Sequence, residues 1–252
     1  MTETERDIEI KKYWNKVSDS EWYRSLRTEE RLDRLRADPR SAFYPGVSGL
    51  IEKHLGGFSD KKILLPSSGD NHAAFAFALM GAKVTSSDIS ERQLENASAI
   101  SERWGLGIEF VCDNTKRLSE FGDESFDLVY TSNGTLSWID DPEEMYRNIR
   151  RVLKEGGLSA MFDVHPFTRP FTMEAWKKPE IRKSYNDVLP DLFDRRAPGN
   201  RAVRRIDLHS FRRLLERVDN GVPVGIFGVD VVEIICVFDF LGFEAFVGNF
   251  SL

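Results

Sequence analysis

The chain has 252 residues, 41% hydrophobic and 30% charged, with a formal net charge of −6. That composition describes a globular chain, long enough for one large or two small domains. Its acidic balance excludes long-range steering toward nucleic acid or anionic lipid.

Other whole-chain features agree. The two cysteines, Cys112 and Cys236, have no metal-ligand spacing, and lone thiols fit a reducing compartment better than a disulfide scaffold. The opening MTETERDIEIKK is charged throughout and does not read as a secretory signal. The most apolar stretch, 222–247, is interrupted by Asp230, Glu233, Asp239 and Glu244, which argues against a membrane span. Arg201, Arg204, Arg205, Arg212 and Arg213 form a basic cluster that reads as a solvated face. The expectation is a cytoplasmic protein with neither a nucleic-acid nor a membrane partner.

Taken in chain order, residues 5–17 predict a polar helix carrying Tyr13 and Trp14, followed closely by Trp22 and Tyr23. Thr28 to Ala37 predicts a charged helix that stops at Asp38-Pro39. Val47 to Leu55 has helical apolar spacing and ends at Gly56-Gly57. The rhythm then changes to strand, helix, strand. Strands are expected at 62–65, 83–86, 108–111, 126–130 and 158–164, with helices at 71–80, from Ser90 to about Trp104, and from Asp141 to Gly156-Gly157. Ser90 with Gln93 three residues on is a capping-box pattern. Asp141-Pro142-Glu143-Glu144 combines a cap, a first-turn proline and acid at the positive dipole end.

Strands joined by single helices pair in parallel through right-handed crossovers, so 61–165 predicts a doubly wound α/β sheet. Ligands of such sheets sit beyond the carboxyl ends of the strands. The polar clusters at 66–71, 87–89, 112–114, 131–134 and 163–166 all fall at such ends.

Each cluster has a binding interpretation and a plainer one. Ser67, Gly69 and Asn71 occupy alternate positions of a turn suited to a nucleotide cofactor, or belong to an ordinary serine-rich turn with Asn71 as helix cap. Asp88 lies 19 residues after Gly69, where a carboxylate accepts hydrogen bonds from ribose hydroxyls, or it caps the following helix. Ile89 beside it suits one face of an adenine ring. Asp113 and Asn114 suit the adenine edge, or form a turn. Thr131 to Gly134 make a polar mouth after an apolar strand.

The order ILLPSSGDN, VTSSDIS, FVCDN, SFDLVYTSNG, MYRNIRRVLKEGG resembles class I S-adenosylmethionine-dependent methyltransferases over roughly residues 10–195. It most resembles a bacterial branch, acting on small molecules, whose first loop reads PSSGDN. The resemblance implies a Rossmann-like, doubly wound, mostly parallel seven-stranded sheet with an N-terminal helical lid. It divides the chain into a cap at 1–58 and a methyltransferase domain at 59–252, with a substrate loop at about 166–200 and an atypical C-terminal tail. It implies S-adenosyl-L-methionine as cofactor and a small-molecule methyl acceptor as partner. Ser67, Ser68 and Gly69 would then line the methionine part, and Asp88 and Ile89 the ribose and adenine. Asp113 and Asn114 would lie at the adenine edge, and Thr131 and Asn133 beside the sulfonium. Tyr13, Trp14, Trp22 and Tyr23 would cover the site, or else form the apolar face of a packing helix. One departure stands out: the first strand of the family often ends on an acidic residue that holds the cofactor's amino group, and here that residue is Leu65. The family's sheet also normally closes with an antiparallel strand pair, for which 221–252 holds apolar runs.

Methyl transfer from a sulfonium is an in-line displacement in which alignment supplies most of the catalysis and a dedicated base is optional. His165, ending the fifth strand, is the candidate base, or else orders the loop before Pro166. Two rivals share the strand edge. A nicotinamide-dependent oxidoreductase needs a Gly-x-Gly-x-x-Gly turn that is absent, and Asp70 would repel its pyrophosphate. A non-catalytic S-adenosylmethionine-binding regulator fits the altered loop and tail.

Overall fold

Short apolar runs become buried parallel strands because both of their faces are covered. In the computed structural model, residues 4–44, 46–164 and 233–239 are described. β1 (Lys62–Leu65), β2 (Lys83–Asp88), β3 (Glu109–Cys112), β4 (Phe126–Ser132), β5 (Leu153–Val164) and β6 (Glu233–Asp239) form one sheet in the order β3-β2-β1-β4-β5-β6. Every described pairing is parallel. The chain winds outward from β1 to β3, then returns to β4, so the order reverses between β1 and β4. That crevice is where a ligand of this architecture sits.

The alternation along β1 divides two cores. Ile63 and Leu65 pack with Phe75, Phe77, Leu128 and Tyr130 on one side, and Leu64 packs with Val129, Met145, Ile149 and Val152 on the other. α5 (His72–Leu79) and α6 (Glu91–Trp104) make the crossovers to β2 and β3. α7 (Pro142–Val152) connects β4 to β5, capped by Asp141, whose Oδ1 accepts from Glu144 N at 2.9 Å. Its apolar residues Met145, Ile149 and Val152 recur at helical spacing and all are buried.

Four helices precede the sheet. α1 (Glu5–Val17) and α2 (Glu21–Leu26) lie toward the carboxyl edge of the strands, while α3 (Glu29–Ala37) lies against α5 and α4 (Val47–Leu55) against β5. Leu32 and Leu35 of α3 and Val47 and Ile51 of α4 belong to the same core as β1. Packed between β2 and α3, α5 is apolar on all sides, with five consecutive buried residues from Ala73 to Phe77.

Three differences from expectation appear. β2 and β4 run on through their polar ends to Asp88 and Ser132, and Asp88 stays in register with Cys112 of β3. The last helix stops at Val152 rather than at the glycine pair. Phe126 pairs with Leu153 but Leu128 pairs with Leu158, so the residues between Leu153 and Leu158 bulge from the strand. Gly156 turns there at φ +71, and a Cβ on Gly157 would lie 2.9 Å from the Lys154 carbonyl oxygen. The third difference is β6, which runs parallel to β5, where an antiparallel closing pair was expected. The intervening 165–232 is ample chain for the crossover that parallel pairing requires. A seventh strand, His165, the 166–200 loop and the tail beyond 239 lie outside the described residues.

Candidate functional site

A cavity of about 490 Å³ opens at the carboxyl ends of β1, β2, β3 and β4. Seven of the nine residues expected to bind cofactor line it: Ser67, Ser68, Gly69, Asp88, Ile89, Asn114 and Asn133. Asp113 and Thr131 are buried behind the wall rather than in it. The Asp113 carboxylate is spent on its own loop, accepting from Asn114 N at 2.7 Å, Ser119 Oγ at 3.0 Å and Glu120 N at 3.2 Å. Asn114 is thereby held in place by Asp113.

The first loop is a sequence of constrained turns. Ser67 and Gly69 adopt φ +51 and +52, and across the cavity Asn133 adopts φ +62. Left-handed backbone at non-glycine residues stores strain, and such residues gather at binding sites. Ser67 Oγ meets Thr115 Oγ1 at 2.6 Å, tying the loop to the end of β3. Asn71 caps α5 through its Oδ1 on Ala73 N at 3.0 Å, and its Nδ2 donates to Ser132 Oγ of β4 at 2.8 Å. The cap and the site thus coexist in one side chain. Ser68 Oγ is buried in the cavity wall with no partner among the described residues. An unpartnered buried hydroxyl is costly unless a ligand group completes it. Leu65, at the end of β1, is sealed in the core and offers the cavity no polar group.

Asp88 is a buried acid that lines the cavity. Its Oδ1 accepts from Ser90 N at 2.8 Å, so it both starts α6 and faces the cavity. Burial pushes its carboxyl up to about 6, and the N–H groups of Ser90, Gly69 and Ile89 oppose that rise while nearby Asp70 adds to it. In the free protein the raised value means that neutral Asp88 favours folding. That contribution is complete below the ordinary 3.8 and is lost as pH rises through about 6. For a ligand that donates hydrogen bonds the sign reverses, because the ionised carboxylate is the better acceptor. Titrating from pH 7.5 to 5 should therefore weaken nucleoside binding, with the break near pH 6. Calorimetry across that range checks it; a flat profile rejects a ribose role for Asp88.

Residues the sequence did not reveal tie the N-terminal helices to this site. Arg27 Nη1 meets Asp70 Oδ2 at 2.6 Å, and Arg27 Nη2 donates to the Ser18 carbonyl at 2.7 Å. Asp70 lines the cavity with its charge paired to Arg27, so it repels a pyrophosphate less than its sequence position suggests. Burial raises its carboxyl and Arg27 opposes the rise. The Leu26 carbonyl lies 2.9 Å from His72 Nε2, whose ring is kept below its ordinary value by burial. On the other side, Lys116 Nζ meets Asp140 at 2.6 Å and Asp7 at 3.6 Å, while Arg117 meets Asp7 at 2.8 Å. Burial raises the Asp7 carboxyl, but Thr4 and Lys116 outweigh it and leave Asp7 below its usual range.

The apolar part of the wall comes from Ile10, Trp14, Trp22, Tyr23, Trp138 and Ile139. Trp138 joins the aromatic group directly, stacked on Tyr13 with centroids 5.3 Å apart and edge-on to Trp14 at 4.9 Å. Trp138, six residues past β4, was the one aromatic signal beside the polar mouth that the sequence reading passed over. Trp22 is 62% exposed although it lines the cavity, which places it at the rim.

Residues 65–161 match the family described as methyltransferase domain. This segment is a methyltransferase domain. Among curated relatives, an uncharacterized methyltransferase of Bacillus subtilis, YbaJ, is 34% identical over 152 residues, covering 60% of this chain and 55% of its own length. The ubiquinone biosynthesis O-methyltransferase of Idiomarina loihiensis is 32% identical over 119 residues, covering 47% and 49%. The chain thus spans about half the length of these relatives. A solved structure of a candidate S-adenosyl-L-methionine-dependent methyltransferase from Methanococcus maripaludis aligns over 100% of this chain and 95% of its own, with TM-score 0.52 and 18% identity. At that identity the likeness speaks to the methyltransferase domain's fold alone. No helix among the described residues is long and apolar enough to cross a membrane, and no cluster of metal-ligating side chains occurs among them.

Proposed function

We propose that the chain is a cytoplasmic class I S-adenosylmethionine-dependent methyltransferase of the PSSGDN-loop branch, acting on an oxygen, nitrogen or carbon atom of a small molecule. The observation that carries this reading is convergence. Three strand ends and the first loop bring a buried carboxylate, an unpartnered hydroxyl and a glycine turn onto one cavity inside a methyltransferase domain.

S-adenosylmethionine, when bound, supplies the methyl group and its sulfonium leaving group. The protein's part is to bind and align. Asp88 accepts from the ribose hydroxyls, and Ile89 covers one face of the adenine. Ser67, Ser68 and Gly69 receive the methionine end. Asn114 contacts the adenine edge, oriented by Asp113. Asn133 flanks the reacting groups, and Thr131 supports it from within β4. α1 and α2 close the site as a lid, their aromatic residues excluding water. Holding two reactants in line supplies roughly 7–11 kcal/mol of such a barrier. Proton removal by His165 belongs to the same proposal and applies to acceptors that must lose a proton.

Calorimetry tests the cofactor. S-adenosylmethionine and S-adenosylhomocysteine should bind at one site per chain, and NAD should not. Binding of NAD alone would overturn the proposal in favour of hydride transfer. Radiolabelled methyl donor incubated with cell extract should yield a labelled small molecule. Tight binding with no transfer would instead indicate a regulator.

A further inference from the structure

Gln93 does not complete the capping box its spacing announces. Ser90 Oγ accepts from Gln93 N at 3.2 Å, which is half of the motif. The return bond is replaced: the Ser90 N–H goes to Asp88, and the Gln93 side chain leaves its own helix end. Its Oε1 accepts from the backbone N of Asp70 at 3.2 Å, across 23 residues of sequence. Gln93 is 3% exposed and lines the cavity. Gly69 carries the imprint of this contact. A Cβ there would lie 2.9 Å from Gln93 Cδ, so the loop's glycine makes room for the glutamine as well as for φ +52. Tyr23 lines the same cavity, at its aromatic part.

We infer that Gln93 is a positioning residue for the amino-acid end of the cofactor, acting through the Gly69–Asp70 backbone. This rests on the function proposed above. The first turn of α6 thereby serves both halves of one ligand. Asp88 and Ser90 fix the ribose position, and Gln93 fixes the loop that receives the methionine end. The distance between the two is set by a single rigid helical turn.

The test compares two ligands that differ only in that end. Gln93→Met keeps side-chain length and packing but removes the acceptor. S-adenosylhomocysteine affinity should fall about tenfold, the scale of one lost buried hydrogen bond, while adenosine affinity stays within about twofold. Ile100→Ala, a core substitution elsewhere on α6, should lower the thermal midpoint and leave the ratio of the two affinities unchanged. Should Gln93→Met not fold, Gln93→Asn withdraws the oxygen by one methylene and carries the same expectation. Equal losses for both ligands, or no loss for either, would overturn the inference by reducing Gln93 to a packing role. Wild-type protein that binds neither ligand would instead refute the cofactor itself.

Discussion

Asp88→Ala should weaken S-adenosylhomocysteine and adenosine alike by about 100-fold or more, because it removes an acceptor for two ribose hydroxyls. Hydrogen bonds to a charged group contribute about 1.5–3 kcal/mol each, and 100-fold corresponds to roughly 2.7 kcal/mol. The parallel loss of both ligands separates this residue from Gln93, which acts at the other end. The substitution also frees Ser90 N, whose bond to Asp88 Oδ1 is 2.8 Å, so some loss at the start of α6 is expected. Asp88→Asn retains an oxygen for Ser90 and removes the charge. It should recover the thermal midpoint without recovering affinity. If Asp88→Ala binds as wild type does, the carboxylate is only a helix cap and the ribose assignment is lost.

Arg27→Met should cost about 3–5 kcal/mol of folding stability, the penalty for a buried charge that loses its partner. Asp70 has a side chain 3% exposed and Arg27 14%, so solvent cannot replace the guanidinium. The double variant Arg27→Met, Asp70→Asn should regain most of the loss, since no unpaired charge remains. The deficit of the single variant should also shrink as pH falls. Burial already raises the Asp70 carboxyl, and protonation then removes the charge that Arg27 no longer balances. Denaturant titration of both variants at pH 7.5 and pH 5 checks this. A single variant as stable as wild type would mean that Asp70 is solvated and that the link from α2 to the first loop is incidental.

These two residues show how differently a site can be written in a sequence. Asp88 was legible because its meaning is local: it ends an apolar strand, precedes a helix start and lies a fixed distance after a turn. The same holds for Asn71, whose cap on α5 follows from residue type and position. Gln93 was legible only in part. Its spacing from Ser90 announced a helix start correctly, and the fold then turned its side chain to a loop 23 residues away. Asp113 gave the converse. Its place at the end of β3 suggested a ligand contact, but its carboxylate is engaged by Ser119 and Glu120 behind the wall.

The sequence by itself determined the strand and helix order, the parallel winding and the edge where the polar residues gather. These follow from hydrophobic period, caps and glycine stops, which act over a few residues of chain. Only the tertiary structure decided which charges neutralise each other and what surrounds the cavity. Arg27 and Asp70 are 43 residues apart, and Asp7 and Arg117 are 110 apart. An ion pair depends on distance in space, and nothing in residue type or spacing records which of many arginines will arrive beside which aspartate. The direction of β6 belongs to the same class. A short apolar strand does not record in its local sequence which direction its neighbour will run.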